Sequence, residues 1–283
     1  MNKLFFLKGF ISIAGILLAA APLRAQPMFD VPFVPTPYVV IDEMLRLARV
    51  TAQDFVMDLG SGDGRVLIAA AKKFGARGIG VDLDEHLIFE SEAAAETAGV
   101  SDRVRFLRQD LFKTDLRQAT VITMYLLPGV MARLQPVLLD LKPGTRLVSH
   151  DFTLGDWRPD VTTQIRKNTF LWIVPARVAG RWQMKLTLPG DEGVQTLALD
   201  LRQKFQEVDG IAEIGGRRVQ IWEPRLNGDR LSFVIVDDRD REAEASLYFE
   251  GRVIHDAIEG SIRRGVGNAQ TVHPWHAVRV AGR

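Results

Sequence analysis

The segment Phe55-Val56-Met57-Asp58-Leu59-Gly60-Ser61-Gly62-Asp63-Gly64-Arg65 constrains the fold more than any other. An apolar run of strand length closes on an acid, passes through three alternating glycines and enters a helical pattern, Val66 to Phe74. Glycine lets the chain turn tightly and lets a ligand reach bare backbone, and the helix that follows offers free N–H groups at its positive end. Such a loop grips a cofactor by main chain. The spacing is G-x-G-x-G, not the G-x-G-x-x-G of dinucleotide-binding loops, and the carboxylate of Asp58 ahead of it suits a cationic ligand better than a pyrophosphate.

Around this segment short β-branched runs alternate with longer helical stretches, the pattern of βαβ units in a doubly wound parallel sheet. Strands are expected at Phe55 to Leu59, Gly78 to Val81, Val104 to Phe106, Val121 to Tyr125 and Leu147 to Ser149. Helices are expected from Val39, from Val66, from His86 to Ala98 and from Val130 to Leu141, the last stopped by Lys142-Pro143-Gly144. Val161 to Ile165 and Thr169 to Val174, with Lys167-Asn168 between them, read as a hairpin that completes seven strands. Beyond Pro175 the helical period disappears. Alternating runs at Trp182 to Leu188, Thr196 to Phe205, Val219 to Trp222, Leu231 to Val236, Ala245 to Phe249 and Ile254 to Ile262 predict a smaller antiparallel barrel or sandwich of roughly seven or eight strands. The expected organisation is residues 1–25 as a signal or anchor, 26–37 as a proline-rich lead-in, 38–176 as the cofactor-binding domain and 177–283 as the β-rich domain.

Two further acids stand where a nucleoside needs them. Asp82 ends the second strand in Gly78-Ile79-Gly80-Val81-Asp82, where a carboxylate can accept two hydrogen bonds from a ribose diol. Asp110 follows the third strand in Arg108-Gln109-Asp110-Leu111, placed to accept from an adenine amino group.

These motifs, in this order, resemble those of the class I S-adenosylmethionine-dependent methyltransferases from about Pro35 to Ala176. Phe33-Val34-Pro35-Thr36-Pro37, Tyr125-Leu126-Leu127-Pro128 and Lys142 to His150 resemble the small mitochondrial lysine methyltransferases that modify the ATP synthase c subunit and the adenine nucleotide translocase, and their bacterial relatives. The resemblance implies S-adenosyl-L-methionine as cofactor, with Asp58, Gly60 and Gly62 around its methionine part, Asp82 on the ribose, Asp110 and Leu111 at the adenine, and Thr36 in a lid. It places Tyr125 and Pro128 on the acceptor channel, with a protein lysine as acceptor. The Asn/Asp-Pro-Pro-Tyr run of amino-methylating relatives is absent. A small-molecule acceptor held by the β-rich domain, or a scaffold that binds the cofactor without catalysis, are the alternatives.

Charge and composition narrow the partners. The 36 basic and 35 acidic residues leave +1, without the basic excess that phosphate binding demands, so nucleic acid is not expected. Cysteine is absent and the five histidines are scattered, so no metal site is expected. Lys3 and Lys8 precede an apolar run from Gly9 to Ala21, and Ala25 offers a small residue for cleavage. That order predicts an exported or membrane-associated protein, periplasmic if bacterial, with cleaved signal and retained anchor both open.

Overall fold

The computed structural model describes residues 33–187, 194–236, 246–264 and 271–280. The expected signal or anchor at residues 1–25, and most of the lead-in, lie outside them. No helix among the described residues is long and apolar enough to cross a membrane.

Among the described residues the first element is α1 (Tyr38–Leu47), whose Val40, Ile41, Met44 and Leu45 are buried at helical spacing. It then alternates β1 (Phe55–Leu59), α2 (Arg65–Phe74), β2 (Arg77–Asp82), α3 (Glu85–Thr97), β3 (Val104–Arg108), β4 (Val121–Met124), α4 (Pro128–Leu139) and β5 (Arg146–His150). β6 (Val161–Ile165) and β7 (Lys167–Ile173) form the expected hairpin, but its turn is Arg166 alone, at φ 63°. The sheet order is β3-β2-β1-β4-β5-β7-β6, with β7 antiparallel to both neighbours and the other pairings parallel. β1 lies at the centre, and its nearly continuous apolar sequence is what burial on both faces requires. Asp58, Asp82 and Tyr125 therefore reach one edge, the carboxyl ends of the parallel strands, where ligands bind in open α/β sheets.

Between β5 and β6 there is no crossover helix. Residues 151–160 cross instead as a loop pinned by buried Trp157, whose carbonyl accepts from the Trp172 indole at 2.8 Å.

The β-rich part is a meander of β8 (Gly180–Leu186), β9 (Gln195–Lys204), β10 (Glu207–Ile214), β11 (Arg217–Gln220), β12 (Trp222–Asn227), β13 (Arg230–Val236), β14 (Ser246–Ile254), β15 (Ala257–Arg264) and β16 (Thr271–Arg279). β16 returns to pair with β8. β11 and β12 are two halves of one kinked strand: the first pairs with β10, the second with β13, and the Ile221 amide between them donates to Gly210 O on β10 at 3.1 Å. Nine segments thus make eight walls of a nearly closed antiparallel barrel. Inward residues alternate along each strand and fill the interior, with Phe233 and Phe249 stacked 4.7 Å apart and Trp275 edge-on to both. Eight strands enclose about the volume that side chains can fill.

The two sheets meet at two seams. Ala176 N donates to Gly228 O at 2.8 Å, and Gly228, at φ 58°, lies so close to Gly144 that a Cβ there would stand 3.0 Å from its Cα. The β9–β10 turn forms the other seam: Phe205 stacks on Trp157 at 5.7 Å, Gln206 Oε1 accepts from the Trp157 indole and Gln206 Nε2 donates to Arg158 O, both at 2.8 Å. Trp157 and Trp172 stand at this boundary, whereas Trp182 belongs to the barrel core.

Candidate active site

Asp58 is 4% exposed at the end of β1. Thr123 on neighbouring β4 donates its hydroxyl to Asp58 Oδ1 at 2.6 Å, a bond set by the Asp58–Thr123 register. Burial, with the Asp82 and Asp63 carboxylates nearby, pushes its pKa up to about 7, against the opposing pull of Thr123. A cation is the ligand that would relieve this.

The loop that follows is tied to β2. Gly60 N and Ser61 N both donate to Val81 O, at 2.9 and 3.0 Å. Gly62 N donates to Asp82 Oδ2 at 2.9 Å, and Asp84 N to Asp82 Oδ1 at 3.1 Å, which fixes the carboxylate plane at the strand end. Gly60, Gly62 and Gly64 all have φ between 54° and 77°, so each needs glycine for its backbone alone. Ser61 Oγ is buried against Gly80 of β2 with no partner in the protein.

The lead-in lies over this crease. A Cβ on Gly62 would meet the Phe33 ring at 2.4 Å, and one on Gly60 would meet Leu126 at 2.9 Å. Thr36 is buried, and its carbonyl accepts from Arg65, whose guanidinium also bonds the Asp63 carboxylate and faces the Tyr38 ring at 5.3 Å. The predicted cofactor residues thus converge from the lead-in, β1 and β2. Asp110 and Leu111 stand beyond β3, where Asp110 Oδ1 accepts from Phe112 N at 2.9 Å and caps a 3-10 turn, Leu111–Lys113.

Tyr125 stands just past β4, not within it, half-buried, with its ring 4.2 Å from that of His150 and 6.2 Å from that of Phe152. His150 ends β5 and Asp151 follows it, yet the two do not pair: Asp151 pairs with Lys167, and His150 Nδ1 is buried with no partner. Burial holds the His150 pKa below its ordinary value, helped by the Lys167 charge and opposed by that of Asp151. Sequence reading missed Lys167, which reaches this edge only because β7 is inserted antiparallel beside β5.

The model of the ANTKMT methyltransferase domain matches residues 58–161, a span that opens on Asp58 and includes Asp82, Asp110, Tyr125 and His150. A protein-lysine N-methyltransferase of Saccharolobus islandicus is 45% identical over 131 residues, 46% of this chain and 81% of the relative. The chain belongs to the protein-lysine N-methyltransferase family. A mouse relative, the lysine N-methyltransferase of the ATP synthase c polypeptide, is 31% identical over 186 residues, 63% of this chain and 74% of that one. A solved structure described as an RNA methyltransferase from Salinibacter ruber, in complex with S-adenosyl-L-homocysteine, is 47% identical with a TM-score of 0.50; the match covers 96% of it and 51% of this chain. This member of the lysine methyltransferase family is therefore an S-adenosylmethionine-dependent enzyme on a seven-stranded methyltransferase sheet, with a β-barrel added behind it.

Proposed function

We propose that the enzyme N-methylates lysine side chains of a protein acceptor, and that the cofactor lies along the carboxyl edge of β1, β2 and β3. Asp58 faces its cationic methionine part, Gly60 and Gly62 give it backbone, Asp82 takes the ribose hydroxyls, Asp110 and Leu111 border the adenine, and the Thr36 segment closes over it. The buried carboxylate of Asp58, followed by the left-handed glycines Gly60 and Gly62, fits such a ligand. The bound cofactor supplies a methyl group on a sulfonium that is its own leaving group.

What remains for the protein is to align an amine and to keep it unprotonated. Tyr125 and Phe152 offer an aromatic step beside the neutral ring of His150. Apolar surroundings favour the uncharged form of an amine, which is the nucleophile. Tyr125 orients that amine.

The observation that carries the lysine acceptor is the kinship with lysine methyltransferases over the residues that build this edge. The packed barrel interior supports a macromolecular acceptor over a small molecule held there. The test supplies methyl-labelled S-adenosylmethionine to the full chain with a lysine-containing peptide, a protein extract or RNA. Label on peptide lysines by mass spectrometry is expected, and Asp82→Ala should weaken cofactor binding by on the order of 2–3 kcal/mol. Label confined to RNA, or none despite bound cofactor, would refute the reading.

A further inference from the structure

The acceptor edge already holds a lysine of the enzyme's own. Lys167 opens β7, and because β7 runs against β5, with His150 opposite Thr169, its first residue stands beyond the end of β5. Its ammonium donates to the Asp151 carboxylate, and its charge helps to hold the His150 pKa down.

Asp151 is held there by a strained backbone. It sits at φ 68° while Phe152 N donates to His150 O at 2.9 Å, a three-residue γ-turn of the rare positive-φ kind. Asp151 N donates to Asn168 O at 2.8 Å, and Ser149 Oγ donates to Phe152 O at 2.7 Å, which lock the turn. Next to it His150, 3% exposed, keeps its Nδ1 without a partner. Buried polar atoms are almost always paired, so this nitrogen marks a place that a polar ligand completes.

We propose that Asp151 is the specificity-determining anion at the mouth of the acceptor site, that it receives the incoming lysine as an ammonium, before the amine gives its proton to water and enters the apolar channel, and that Lys167 is a built-in competitor which the acceptor displaces. The inference rests on the lysine-acceptor reading above. The Lys167 and Asp151 side chains are 54% and 20% exposed, so the pair opens easily: an exposed ion pair shifts an equilibrium by less than about fivefold. Lys167 thus holds the site weakly and sets a threshold against acceptors that present no cation.

The test is steady-state kinetics of the full chain on a peptide whose one lysine is its only cation, with cofactor affinity titrated in parallel. Lys167→Met should lower KM for the peptide by about three- to fivefold. Lys167→Arg, which restores the pair, should stay near the parent KM. Asp151→Asn should raise KM by about tenfold, the effect of losing one charge-assisted contact. Cofactor affinity should not move in any of the three. A KM that is unchanged in Lys167→Met and Asp151→Asn overturns the proposal, as does a fall in kcat shared by Lys167→Met and Lys167→Arg, which would mark Lys167 as a support for the β6–β7 turn. A parent enzyme that binds cofactor yet leaves peptide lysine unlabelled refutes the lysine reading itself, and this inference with it.

Discussion

At Asp58 a carboxyl group is kept out of water beside two other acids, and its protonation follows from that. In the unfolded chain it ionises near 3.8; in the folded chain it ionises at about 7. Between those values the unfolded chain has released a proton that the folded chain keeps, so the cofactor-free protein loses stability as pH rises through that window. A cation at the same carboxylate favours its ionised form, so cofactor affinity should run the other way. Calorimetric titration with S-adenosylmethionine from about pH 6 to pH 8 should show Kd falling by about tenfold, and Asp58→Asn should bind more weakly with a flat profile. A flat profile in the parent protein would mean that Asp58 does not face the cation. Asp58 and Asp82 were legible in the sequence because an acid at a strand end beside a glycine run is a local pattern. The Thr123 hydroxyl on Asp58, the Lys167 ammonium on Asp151 and the orphan nitrogen of His150 were not, because each depends on which strands lie side by side.

Among the elements, the β9–β10 turn does the most to join the two halves. Gln206 bridges the Trp157 indole and the Arg158 carbonyl, and Phe205 covers the face of Trp157. Gln206→Ala removes both bonds and leaves a buried indole N–H unpaired, so chemical denaturation should show a loss of about 1–3 kcal/mol. Trp157→Ala, which empties a fully buried site, should cost about 3–5 kcal/mol. A Gln206→Ala protein as stable as its parent would show that the turn merely rests on the loop. The helices and parallel strands of the first half stood out by period. The barrel was harder to read: Val219 to Trp222 looks like one strand, yet the chain kinks at Ile221 and Glu223, where φ is 47°. Likewise Ile254 to Ile262 looks continuous, but β14 ends at Ile254 and β15 begins at Ala257, after a turn in which His255 takes φ 54° without a glycine to announce it. Two-residue periodicity continues through a tight turn, so alternation alone does not reveal it.

On the scale of the whole molecule, the buried side chains form separate clusters: one around α1, α2 and the parallel sheet, another inside the barrel. Scanning calorimetry of the full chain should therefore resolve two transitions. Cofactor at about a hundredfold excess over Kd should raise only one of them, with roughly 2.7 kcal/mol of added stability. A single transition that moves as a unit would show the seams to be stronger than their hydrogen bonds imply. The closure of the barrel has a mechanical consequence. Its last strand, β16, is laddered to β15 on one side and to β8 on the other, so tension on the chain beyond Arg279 loads both ladders together. An open sheet can unzip from its outer strand one bond at a time; β16 is not an outer strand, and the force that frees it is the force that breaches the barrel.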